Sequence, residues 1–228
     1  MKFFRVDMSV DEKVDELLKI IRLRMNGEVS ALMEQRGIHY RLNYGVSLSH
    51  LREMATPYLG NTQLASRLWF LEIRETMLLA SIIVQPSDLE VKTCLEWSRL
   101  ITTSELVEHA SLQLFSKVPE VQQLVHQLLT QKKEYAVATA LFTAAWATRN
   151  GTYHDIIEPQ WLEKEVWSYR VPTALEQRGL AVFVRQQLRL KGLREGSKWL
   201  QWIQHQSLLN LKWLEEEVQS EMEFFERQ

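Results

Sequence analysis

The spacing of helix starts constrains this chain more than any other feature. Consecutive starts fall near Ser87, Thr102, Val118 and Lys133, each about fifteen residues from the last, which leaves room for a three-turn helix and a short turn. Only 8 glycines and 5 prolines interrupt 228 residues, and most lie between segments whose apolar residues recur at three- and four-residue steps. No segment alternates convincingly as a half-buried strand would. Taken in pairs, the elements give a helical-hairpin repeat of roughly 30 residues. The expected architecture is all-α, a HEAT-like α-solenoid (an α-α superhelix) of antiparallel helix pairs, forming one domain over residues 1–228.

Local signals support the starts. Ser9 to Glu12, Ser87 to Glu90, Thr102 to Glu105 and Thr173 to Glu176 all have capping-box spacing, in which the hydroxyl accepts an early N–H and the glutamate reaches back. Pro119 and Pro159 suit first-turn positions. Further helices are expected over 9–36, 48–57, 61–69, 72–84, 160–169, 173–191, 194–205 and 208–226. Residues 133–147, KEYAVATALFTAAWA, carry no charge after Glu134 and are small or apolar on every side, as a helix central to a stack must be. The turn Arg149-Asn150-Gly151-Thr152 reads as a long connection within one domain.

Composition narrows the function classes. A net charge of −2 excludes a protein that coats nucleic acid by bulk electrostatics, so any phosphate-binding site must be a local patch. Cys94 is the only cysteine, which rules out a disulfide framework and fits a reducing compartment. No stretch reaches the roughly 18 apolar residues of a membrane span, and the N-terminus MKFFRVDMSV lacks a signal-peptide core, so a cytoplasmic protein without a membrane partner is expected. Glycine-rich phosphate loops, HExxH and GxSxG are absent, and the six histidines share no ligand spacing. No cofactor and no metal are implied.

Charge is nevertheless uneven. Residues 19–52 hold Lys19, Arg22, Arg24, Arg36, Arg41 and Arg52 against Glu28 and Glu34, and residues 185–198 hold Arg185, Arg189, Lys191, Arg194 and Lys198 against Glu195. Arg185 and Arg189 are four apart, on one helical face. A groove built from these two segments would hold phosphates, although ordinary solvated faces give the same pattern. Trp161, Trp167, Trp199, Trp202 and Trp213 crowd the last third, and interhelix packing accounts for them better than base stacking. The tail, residues 213–228, has six glutamates and one arginine; it reads as a capping helix with a solvated acidic face that avoids DNA.

Residues 24–30 (RMNGEVS), 37–46 (GIHYRLNYGV) and 51–55 (LREMA) resemble the N-terminal portion of the DNA alkylation repair, AlkD-like, family, with RLNYGV closest to a divergent branch. Trp69, Glu72-Ile73-Arg74-Glu75 and the apolar helix after them look like the next repeat, and the likeness continues through Trp97 and Glu105-Leu106-Val107-Glu108 to about residue 149. The resemblance implies a DNA N-glycosylase that removes positively charged alkylated purines, with aromatic residues against the deoxyribose and a carboxylate stabilising its developing oxocarbenium charge. The family's tryptophan and the aspartate four residues later match Ser104 and Glu108 here. Its arginine falls near Val137 or Ala138, and its C-terminal tryptophan near Leu190. Three departures at four functional positions leave Glu108 as the sole catalytic candidate and count against glycosylase activity.

The reading is therefore a DNA alkylation repair-like protein that binds double-stranded DNA in a concave basic groove through Ser104, Arg41, Arg185, Arg189, Lys191 and Arg194. The alternative is a HEAT-like scaffold that binds another protein and has no catalytic activity.

Overall fold

The computed structural model describes residues 8–155, 157–205 and 212–227. Residues 1–7, and 208–211 of the expected last helix, lie outside the described residues. The chain divides into two compact units, Met1–Asp88 and Leu89–Gln228. Among the described residues every regular element is helical, and one isolated bridge joins Leu42 to Ile73.

The first unit contains α1 (Val10–Leu23), α2 (Gly27–Gln35), α3 (Leu48–Ala55), α4 (Thr62–Trp69) and α5 (Arg74–Ile83). Ser9 and Glu12 form the expected capping box at α1, and the Ser9 backbone hydrogen bond holds the Glu12 carboxyl below its usual range. The single helix expected over 9–36 is two. Asn26 breaks it, because its side-chain oxygen accepts the Val29 N–H and starts α2 afresh. α5 is buried along nearly its whole length and packs against both α3 and α4.

A buried ion pair fixes the loop before α3. Glu75 is fully buried and Arg74 nearly so, with Arg74 Nη1 at 3.0 Å from Glu75 Oε1. The same carboxylate accepts the N–H groups of Tyr44 at 3.1 Å and Val46 at 3.2 Å. Arg74 donates through its guanidinium to the Val46 carbonyl and through its backbone N–H to the Leu42 carbonyl. Gly45 completes the clamp at φ 71°, where a Cβ would stand 2.1 Å from the Asn26 carbonyl oxygen. The RLNYGV and Glu-Ile-Arg-Glu stretches thus meet as a packing device.

The second unit contains α6 (Val91–Ser98), α7 (Ser104–Gln113), α8 (Val121–Thr130), α9 (Glu134–Arg149), α10 (Pro159–Trp161), which continues as a π-helical turn over Leu162–Val166, α11 (Ala174–Lys191), α12 (Leu193–Gln204) and α13 (Lys212–Glu226). Two capping signals read differently here. Pro86–Asp88 forms a 3-10 turn and α6 starts after it without a side-chain cap, while Thr103 rather than Thr102 caps α7 by accepting the Leu106 N–H. The Thr173–Glu176 box forms as expected.

α9 is central, as its sequence requires. Only Glu134, Tyr135, Trp146 and Arg149 among its residues escape full burial, and α7, α8 and α11 pack around it. Gly179 lets α11 lie close, since a Cβ there would meet the Leu141 side chain at 3.1 Å and Phe142 at 3.2 Å. Farther along, Gln187 donates to the Thr148 hydroxyl at 3.0 Å, so α9 and α11 run side by side in the same direction. Three of the five tryptophans pack as expected, Trp199 fully buried with Trp202 edge-on to it at 5.9 Å and Trp167 stacked on Trp202 at 6.4 Å, while Trp161 is partly exposed and Trp213 exposed.

Two expectations follow for stability. Glu75→Gln removes the charge opposite buried Arg74 and should cost about 3 kcal/mol in urea unfolding; a midpoint equal to wild type would contradict the clamp. Ala138→Asp places a charge in the core of α9 and should cost several kcal/mol. Thermal unfolding within about a degree of wild type would contradict the central position of that helix.

Candidate nucleic-acid interface

α7 presents Ser104 in its first turn and Glu108 one turn later on the same face, both half-buried. Glu108 is not a lone carboxylate. Arg178 of α11 donates to its Oε1 at 2.8 Å, with the two side chains 40% and 57% exposed. A guanidinium at hydrogen-bond distance cancels much of the field the carboxylate projects beyond the pair. A carboxylate shared in this way stabilises a nearby developing cation less than an unshared one would.

The other positions of the resemblance supply no replacement. Val137 and Ala138 are fully buried within α9, and Leu190 is an exposed aliphatic side chain on α11. Ser104 offers a hydroxyl where an aromatic face is expected.

The basic residues divide into paired and unpaired sets. Arg41, in the first unit, is exposed and donates to the Leu71 carbonyl. In the second unit Arg185 pairs with Glu217 and, at 4.0 Å, with Glu221. Arg189 also pairs with Glu221, and Lys198 pairs with Glu158 at 2.5 Å. Lys191 and Arg194, around the turn between α11 and α12, are exposed and form no ion pair among the described residues.

The acidic tail explains this pattern. α13 seats Leu214 and Val218 in the core and brings Met222 against Gly196 of α12. Glu217 and Glu221 consequently turn toward α11 instead of facing solvent throughout, as the sequence led one to expect. Trp213 reinforces the register by donating to Gln177 Oε1 at 3.1 Å.

Sequence reasoning missed Arg178 and the glutamates that answer the arginines. Both left a signal. Arg178, Arg185 and Arg189 are spaced by seven and eleven residues, which puts them within about 40° of one another around α11 and over about 17 Å of its length. Glu217 and Glu221 repeat the four-residue spacing of Arg185 and Arg189. Elsewhere in the second unit, His126, Tyr153, Asp155, Glu158 and Trp161 line a cavity of about 250 Å3 that contains none of the sequence-derived candidates. No group of three or more His, Cys, Asp or Glu side chains among the described residues is arranged to hold a metal ion, and no described helix is long and apolar enough to cross a membrane.

Comparison with known proteins gives a consistent result. The family described as DNA alkylation repair enzyme matches residues 16–165, well over half of the chain. A solved structure described as "a new family of proteins related to the HEAT-like repeat DNA glycosylases with affinity for branched DNA structures" aligns with a TM-score of 0.73. The two are 13% identical, over 92% of this chain and 94% of that one. No curated protein sequence matches. The structural likeness establishes a HEAT-like repeat fold, and with the family match it shows that the chain belongs to the DNA alkylation repair enzyme family.

Proposed function

We propose that this protein binds DNA through its phosphate backbone and does not excise bases. The observation that carries the reading is that Ser104, Val137, Ala138 and Leu190 supply neither ring nor guanidinium, which leaves Glu108, shared with Arg178, as the sole candidate. What survives of the family's equipment is a surface for phosphates. In the second unit it comprises the arginine face of α11, Lys191 and Arg194 at the following turn and the Ser104 hydroxyl as a neutral donor, and Arg41 is a separate candidate contact in the first unit. The structurally similar protein's affinity for branched DNA supports testing junctions beside duplexes.

Fluorescence anisotropy with labelled duplex and four-way junction, at about 50 mM and about 200 mM salt, tests the reading. Affinity is expected to fall steeply with salt. Lys191→Ala with Arg194→Ala should weaken binding and flatten the dependence of log affinity on log salt by up to about two units, at roughly 0.9 per phosphate contact. Failure to bind either DNA at the lower salt would overturn the proposal and favour a protein-binding scaffold. Duplex containing N7-methylguanine should release free base no faster than the uncatalysed rate. Rapid release that Glu108→Gln abolishes would make Glu108 catalytic and contradict the non-excising assignment.

A further inference from the structure

We infer that α13 is a built-in competitor for the phosphate backbone, its Glu217 and Glu221 carboxylates occupying the arginines that DNA must take. The inference rests on the DNA-binding reading and adds its regulation. Two carboxylates four residues apart, hence about 6 Å along a helix, answer two arginines with the same spacing. Both arginines bind the tail: Arg185 through Glu217 and Glu221, Arg189 through Glu221.

The contact can open without unfolding. α13 is anchored by a different face, with Leu214 and Val218 buried and Met222 against Gly196. The helix therefore stays seated while its glutamate side chains swing away. The arginines keep 33% and 51% of their side-chain surface, so a polyanion reaches them from solvent. Partly exposed ion pairs of this kind stabilise little, whereas phosphate contacts gain from release of condensed counterions. The exchange favours DNA at low salt, and the glutamates raise the threshold at which it occurs. Of the five cations over 185–198, Lys191 and Arg194 have no ion pair among the described residues and can make the first encounter.

Neutralising the competitor tests this directly. Glu217→Gln with Glu221→Gln should tighten binding of a fluorescein-labelled duplex about tenfold at about 100 mM salt. Glu216→Gln with Glu223→Gln makes the same charge change on the same helix. Glu216 has no ion pair among the described residues and Glu223 pairs with Arg227, so this variant should stay within about threefold of wild type. Adding Arg185→Ala and Arg189→Ala to the first variant should erase its gain. Equal affinity of the two glutamate variants, or a gain that survives loss of the arginines, overturns the competition while leaving DNA binding intact. Absence of binding by wild type and every variant overturns the DNA-binding reading and the inference together.

Discussion

A carboxylate without access to water must be answered by fixed donors, and each unit is organised around one. Glu75 in the first unit and Glu176 in the second are both fully buried. Glu75 takes Arg74 and two loop N–H groups. Glu176 takes both terminal nitrogens of Arg170, at 2.6 and 2.5 Å, and the Thr173 N–H at 2.8 Å, and this pairing raises the Arg170 guanidinium above its ordinary value. Buried carboxylates add little net stability through their ion pairs, although Arg170 is partly exposed, but are costly to leave unpaired. Their effect is geometric: one pins the loop that enters α3, the other the start of α11. Because α11 carries Arg178, Arg185 and Arg189, the cap at Glu176 sets the register of the arginine face.

The proposed DNA-binding surface follows a different economy of charge. Arg178 meets Glu108 of α7, while Arg185 and Arg189 meet glutamates of α13. These pairs are half-exposed, and exposed pairs contribute at most about 1 kcal/mol each. They neutralise the surface without locking it. Residues 185–198 look strongly basic in the sequence, yet much of that charge is answered by carboxylates from other elements. A net charge of −2 is compatible with DNA binding in such a protein if DNA replaces its internal acidic partners.

Much of the fold was legible because helices announce themselves locally. The Ser9 and Thr173 boxes and the uncharged run over 135–147 each rest on residues a few positions apart. The break at Asn26 was missed although Asn26-Gly27 is itself a turn signal in the sequence, and the Asn26 side chain caps the next helix at Val29. Glu108 was singled out as a carboxylate, but its partner Arg178 lies seventy residues away and no local rule links them. The tail was misread for the same reason. Its charge was visible, but which face it buries depends on Gly196 of α12 accepting Met222.

The side chains of Arg185 and Arg189 offer the most direct test. Their Nε–Hε resonances, observed by 15N NMR while duplex DNA is added at low salt, report whether the guanidinium groups change partners. Both resonances should move in step with binding, together with the carboxyl carbons of Glu217 and Glu221. Saturable DNA binding that leaves all four signals in place would show that phosphates do not replace the glutamates on α11.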